Sequence, residues 1–294
     1  MRWKNISIIG VGLLGGSLGL ALRHRRLADS VIGYVRRAAS VTECQKLGAV
    51  DHATRDLRKA VSQSELIILC TPIGQMPSLL KEMLPAIRKG AVVTDIGSVK
   101  SRVVDDLESS IAKAGAYFVG SHPMAGGEKM GVSAARPDLF SGAVCVVTPT
   151  PRSNRQAVRK VENLWRSVGS RVLKLTPAAH DQLVSRSSHL PHVVAAELVH
   201  LVLSAKHPKE QELLCATGFR DTTRIALGSP EMWRDIALAN RENLVRSLDS
   251  FIDGLHTFRR SLTRSDARAI SDFFQRARER RAKWNSKTAP ISSE

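Results

Sequence analysis

The sequence predicts an α/β fold: a doubly wound, mostly parallel sheet in the N-terminal part, followed by an all-helical C-terminal part. Three observations predict it. Short β-branched runs alternate with helical stretches through the first half, the strand NISIIG runs directly into GVGLLGGS, and no strand pattern follows Thr176–Pro177. Alternation of strand and helix is what a parallel sheet covered on both faces requires.

The strands read as Ile6–Ile9, Val31–Tyr34, Leu66–Cys70, Val92–Asp95, Tyr117–Val119 and Val144–Val147, with Val172–Leu175 as one more. Each is a short run rich in Val, Ile or aromatic residues. Helical patterns over Leu13–Arg25, Pro77–Leu84 and Arg155–Ser167 lie between several of them. From Ala178 to Trp284 the pattern is helical throughout. LPHVVAAELVHLVLSA is apolar almost all round, which predicts a buried helix, either central or at a subunit interface.

Composition narrows the function classes. A chain of 294 residues has room for two cores, and 43% hydrophobic content excludes global disorder. No apolar run reaches membrane-spanning length. MRWKNISIIG enters a strand pattern at once, which predicts a chain without a signal peptide. Cys44, Cys70, Cys145 and Cys215 are scattered without a CxxC pair and read as reduced thiols of a cytoplasmic protein. The net charge of +17 fits nucleic acid, a polyanionic small molecule or merely a basic surface. In the densest run, FFQRARERRAKW, acidic residues recur at helical spacing, as on a solvated helix face. With no zinc-finger spacing, basic zipper or aromatic platform, and 4% aromatic residues, nucleic acid is the weaker reading.

Gly10, Gly12 and Gly15 of GVGLLGGS fit G-x-G-x-x-G between a strand and a helix. Gly10 makes the tight turn, Gly12 lets backbone approach a pyrophosphate, and Gly15 lets helix and strand pack closely. The pyrophosphate then sits at the positive start of the helix, beside Leu13 and Leu14. This is a Rossmann-type site, so residues 1–176 are expected to bind a dinucleotide and 177–294 to form a helical substrate and dimerisation domain. The second strand ends in YVRR. Val35 stands where a ribose-binding carboxylate is expected, and Arg36 and Arg37 follow, which favours NADP over NAD. TPIG, carrying Thr71 and Pro72, and DIGSVK, carrying Ser98 and Lys100, follow two further strands and are expected to border the cofactor.

GSHPMAGGEKMGV, residues 120–132, sets His122 against Pro123 among several glycines and reads as a loop that holds one imidazole still. His180, His189 and His192 are the candidate metal ligands by residue type. HLPH has i, i+3 spacing, but no third ligand stands at a convincing distance, so no metal is expected. A buried His189 capping the helix near Pro191 and contacting Asp181 is the simpler reading.

Taken in order, GVGLLGGS, TPIG, DIGSVK, GSHPMAGGEKMGV, HDQLVSRSSHLPH and GFRDTTRIALGSPEMWRDI resemble the prephenate/arogenate dehydrogenase family of tyrosine biosynthesis over nearly the whole chain. The resemblance implies a Rossmann domain joined to a helical dimerisation domain, a homodimer, and NAD(P)-dependent oxidative decarboxylation of a cyclohexadienol. It implies His122 as acceptor of the hydroxyl proton, with Ser98 bonded to the same hydroxyl. It places Arg224 and His192 in the substrate site, with Arg220, Glu128 and Trp233 in matched motifs; Trp233 reads equally well as a packing residue. An ion pair of Arg224 with Asp221 or Asp235 is the structural alternative. A cationic site favours prephenate over arogenate. The chain is expected to lack the chorismate mutase and regulatory domains that some relatives carry. Two other readings remain: a 3-hydroxyacid dehydrogenase, whose catalytic lysine is not evident, and a non-catalytic nucleotide-sensing or nucleic-acid-binding module.

Overall fold

The computed structural model describes residues 2–127, 129–204 and 209–288. The chain divides into two compact units, residues 1–243 and 244–294. In the first unit lie the strands β1 (Trp3–Ile9), β2 (Ala28–Tyr34), β3 (His52–Thr54), β4 (Leu66–Leu69), β5 (Val92–Asp95), β6 (Tyr117–Pro123), β7 (Val144–Thr148) and β8 (Arg171–Lys174). They form one eight-stranded sheet in the order β3-β2-β1-β4-β5-β6-β7-β8. Neighbours pair in parallel except β6 and β7, which are antiparallel. Connectivity reverses direction between β1 and β4, so the crevice at their carboxyl ends is the topological switch point where such sheets take ligands.

The helices of the sheet region are α1 (Leu13–His24), α2 (Ala38–Lys46), α3 (Leu57–Val61), α4 (Met76–Met83), α5 (Ser101–Lys113) and α6 (Arg155–Ser167). One face of the sheet packs Ile6 and Ile8 with Leu18, Leu22 and Trp165, the other packs Ile67 and Leu69 with Leu80, Met83 and Leu107. Because β4 is covered on both sides, all of LIIL is buried. Such continuous apolar runs mark a doubly covered parallel strand.

Among the described residues only helices follow: α7 (Pro177–Val184), α8 (Leu190–Val202), α9 (Lys209–Leu213), α10 (Thr217–Thr223), α11 (Pro230–Ala239), α12 (Arg241–Thr263) and α13 (Ala267–Thr288). In the second unit, Phe258 of α12 meets Phe273 and Phe274 of α13, with ring centroids 4.6 and 5.7 Å apart.

Three expectations need correction. The first four residues of GSHPMAGGEKMGV are strand and not loop: Gly120, Ser121, His122 and Pro123 extend β6 and pair with Thr148, Val147, Val146 and Cys145 of β7. Pairing with a distant strand supplied the order that local glycine and proline content argued against. β3 went unseen because three residues, one of them an exposed histidine, carry no alternation to read. Finally, α8 is not buried within the chain. Only Ala195 is inaccessible, and Leu201 remains 63% exposed, since the elements packed on α8 cover one side of an all-round apolar helix.

Candidate active site

The phosphate loop is built by close approach. Gly10 has φ +101°, and its N–H reaches the Tyr34 carbonyl (3.0 Å) at the end of β2. A Cβ there would meet the Cys70 carbonyl oxygen at 2.8 Å, and one on Gly15 would meet the Gly10 oxygen at 2.1 Å. At Gly12 the same atom would meet nothing within 4 Å. Gly12 caps α1 without any side-chain bond, so the first helical N–H groups open onto the crevice with the positive end of the helix dipole. Thr71 Oγ1, buried beside the loop, has no hydrogen-bond partner among the described residues. An open anion-binding helix start and an unpaired hydroxyl at the switch point fit a dinucleotide. Leu13 and Leu14 at this helix start are half-buried, and Pro72 is exposed. Val35 is buried, whereas Arg36 and Arg37 are exposed at the end of β2, Arg37 at the start of α2.

His122 lies at the carboxyl end of β6, on the same edge of the sheet as the phosphate loop, and is 8% exposed. Its Nδ1 is 2.8 Å from His180 Nε2, and His180 Nδ1 is 2.8 Å from Asp181 Oδ1. Asp181 accepts backbone N–H from Lys100 (2.7 Å) and Ser101 (2.8 Å). The Lys100 side chain is wholly buried, paired with Asp95 and donating to the Ser121 carbonyl at 2.8 Å. Burial, with His180, Lys100 and His189 nearby, holds His122 well below the usual histidine range. The imidazole is therefore neutral and able to accept a proton. Burial raises the Asp181 carboxyl, but hydrogen bonds from His180, Lys100 and Ser101 outweigh it and keep the group below its usual range.

His189 is buried at the head of α8 but does not cap it with its side chain. Asn240 joins it instead, its Nδ2 reaching His189 Nδ1 (3.2 Å) and the Asp181 carbonyl (2.9 Å). His189 Nε2 lies beside the Ser98 backbone without a well-aligned hydrogen bond. Burial, opposed by Asp181, pushes its pKa down to about 4. Folded His189 thus refuses a proton that the unfolded chain accepts. Its contribution to stability is complete above pH ~6.5 and is lost as pH falls toward 4. Urea unfolding followed from pH 7 to 5 should show the decline, on the order of 3 kcal/mol if His189 acted alone by pH 4. Flat stability over that interval would contradict it.

His192 stacks on Trp233 with ring centroids 3.7 Å apart and donates from Nδ1 to the Ser188 carbonyl (2.8 Å). Burial lowers its pKa. Trp233 Nε1 is buried without a partner among the described residues. Arg220 and Arg224 are exposed, on α10 and on the turn after it, and α8 packs against both elements. Asp235, one partner weighed for Arg224, is bonded by Arg234 (2.7 Å). Asp235 also abuts the TPIG turn, since a Cβ on Gly74 would come 2.5 Å from its Oδ2. Ser98 is half-buried in the loop after β5. Glu128 lies outside the described residues. Missed at the sequence level were Asp95 and Asn240, the burial of Lys100 against Asp95, and the contact of His180 to His122. The adjacency of His180 and Asp181 was their one visible signal.

A crevice of the dinucleotide-binding type and a buried imidazole thus share one edge of the sheet. Comparison with known proteins specifies the site further. Family models for the prephenate dehydrogenase nucleotide-binding domain and the prephenate dehydrogenase dimerization domain match residues 18–174 and 176–276. The chain is 34% identical to prephenate dehydrogenase of Bacillus subtilis over 94% of this chain and 75% of that protein. It is 31% identical to cyclohexadienyl dehydrogenase of Zymomonas mobilis over 95% of each. Among solved structures, prephenate dehydrogenase of Aquifex aeolicus with hydroxyphenyl propionate and NAD+ superposes with TM-score 0.90 at 31% identity, covering 96% of this chain and 99% of that one. The chain belongs to the prephenate dehydrogenase family.

Proposed function

We propose that the chain oxidises prephenate to 4-hydroxyphenylpyruvate, with loss of CO2 and hydride transfer to NAD(P)+. The observation that carries this reading is His122: a buried imidazole held neutral at the end of β6. Bound at the phosphate loop, the nicotinamide supplies the hydride acceptor. His122 accepts the hydroxyl proton as the ring carbon loses hydride, and Ser98 holds the same hydroxyl. Departure of CO2 leaves an aromatic ring, whose oxygen recovers the proton, so no net proton is consumed. A neutral base with a lowered pKa suits this reversible loan. Arg224, with Arg220, binds substrate carboxylate through charge-assisted hydrogen bonds. His192 lines the same site, its ring set by the Trp233 stack and the Ser188 bond. Glu128 is assigned to the substrate site by its motif alone.

Prephenate is favoured over arogenate because a site carrying Arg220 and Arg224 repels an added ammonium group. NADP is favoured over NAD because two exposed guanidiniums, Arg36 and Arg37, stand where the second strand ends and Val35 offers no carboxylate. Residue 176 is taken as the division between dinucleotide-binding and helical parts, supported by the ranges of the two family matches. A homodimer is supported by the dimerization-domain match and by the incompletely buried apolar surface of α8, where Leu201 is exposed and Leu198 and Val199 are half-buried. No described helix is long and apolar enough to cross a membrane, and the four cysteines are free thiols, which supports a cytoplasmic protein.

The test is formation of reduced nicotinamide, followed by absorbance, with prephenate or arogenate and with NAD+ or NADP+. Turnover with prephenate is expected, faster with NADP+. Folded protein without turnover on either substrate would overturn the assignment. In Arg36→Ala/Arg37→Ala, the KM for NADP+ should rise by about tenfold or more while that for NAD+ changes little. Equal change for both cofactors would remove these arginines from 2′-phosphate recognition.

A further inference from the structure

Two hydrogen bonds in series join α7 to the end of β6, and the first fixes the direction of the second. Backbone N–H groups of Lys100 and Ser101 point at the two Asp181 oxygens, as they do at an ionised, acceptor-only carboxylate. His180 Nδ1, 2.8 Å from Asp181 Oδ1, therefore carries a hydrogen and donates it. If His180 rests with this one N–H, its Nε2 is a lone pair. His122 Nδ1, 2.8 Å away, must donate to it, which leaves His122 Nε2 bare. The bare nitrogen is the one free to take a substrate proton.

We propose that His180, oriented by Asp181, is a positioning residue that fixes the tautomer of His122 and holds the substrate's hydroxyl proton while the ring is oxidised. This rests on the prephenate dehydrogenase reading and deepens it. As the ring C–H electron pair leaves as hydride to the nicotinamide, the substrate O–H bond breaks and N–H forms at His122 Nε2. The His122 Nδ1–H bond breaks and N–H forms at His180 Nε2. His122 ends neutral, in its other tautomer, and His180 ends as imidazolium against the Asp181 carboxylate. When the ring carboxylate leaves as CO2, the released electron pair aromatises the ring and charges its oxygen. Both proton transfers then run back to give the phenol.

The surroundings favour this resting place for the charge. His122 is enclosed by burial with the Lys100 ammonium, itself paired to Asp95, and with His189 on the α8 side. His180 has the Asp181 carboxylate in direct contact. Charge on His180 is thus attracted at contact, whereas charge on His122 meets a neighbouring cation. Proton acceptance by a group that cannot comfortably stay charged becomes feasible when the next ring takes the charge.

His180→Gln tests the role, because an amide oxygen can still accept from His122 Nδ1 but cannot hold the proton. Expected is a fall in kcat of about 10- to 100-fold with KM values for substrate and cofactor within about threefold. The acid limb of the kcat/KM profile should move to lower pH, since the proton must then reside on His122. A kcat near that of the wild type, or an acid limb that does not move, overturns the proton-holding role. A second measurement needs neither variant nor turnover: ¹⁵N shifts of the histidine rings in the resting protein. His122 protonated at Nδ1 and bare at Nε2 supports the proposal, and the opposite tautomer overturns it. Because those shifts do not depend on substrate, failure of the relay is distinguishable from absence of prephenate turnover, which overturns the assigned reaction alone.

Discussion

His122→Asn is expected to lower kcat by about 10²- to 10⁴-fold, the range typical of losing a general base. Asparagine is chosen for its geometry. Its amide N–H can replace the Nδ1 hydrogen bond to His180, so the buried connection to α7 survives while the proton acceptor disappears. The KM for prephenate should change little, because the imidazole acts on the hydroxyl as hydride leaves and the carboxylates are held elsewhere. Cofactor affinity should also hold, since the phosphate loop is a separate part of the same sheet edge. Steady-state rates beside dinucleotide titrations decide the matter. A variant within tenfold of the wild-type kcat would mean that water or another side chain takes the proton.

Gly15→Ala should abolish measurable dinucleotide binding and lower Tm. Its Cβ would lie 2.1 Å from the Gly10 carbonyl oxygen and 3.1 Å from Cys70 Cβ, so α1 must retreat from β1 and β4 or the loop must open. Overpacking of this kind costs about 1–3 kcal/mol, and the better helix propensity of alanine returns at most ~1. Binding suffers more than stability, because the displaced Gly10 turn is the cradle itself. Gly12→Ala separates the two causes. No atom lies within 4 Å of its Cβ and φ is −97°, so the fold should keep its wild-type Tm. That Cβ nevertheless projects into the space a pyrophosphate needs, and the Kd should rise by at least about tenfold. If Gly12→Ala binds normally, the dinucleotide does not approach the loop as the fingerprint implies.

Features carried by short stretches of chain were legible before any coordinates. The start of α1 was predicted at Leu13 and lies there, because a glycine-rich turn after an apolar strand leaves few alternatives. The span Arg155–Ser167 was read from its apolar spacing alone and is the helix observed, begun by an Asn154 cap. The motifs also pointed to the family. GSHP reads as a loop because its local signals oppose a strand, and only β7, more than twenty residues later, supplies the missing ladder. The all-round apolar sequence of α8 announced a surface that needs cover, but it could not say that the described residues would leave that cover incomplete.

By itself, then, the sequence determined the alternating sheet region, its phosphate loop and the helical remainder, and it singled out His122 beside Pro123. These depend on periodicity, turn residues and capping, which act over a few residues. Tertiary structure alone decided that His122 meets His180, 58 positions away, and that Lys100 and Asp95 are buried together beneath it. It also decided that Asn240 links His189 to α7. Those contacts set the charge and tautomer of the base. They arise from burial and from the register of strands far apart in the chain, and neither leaves a periodic mark in the sequence.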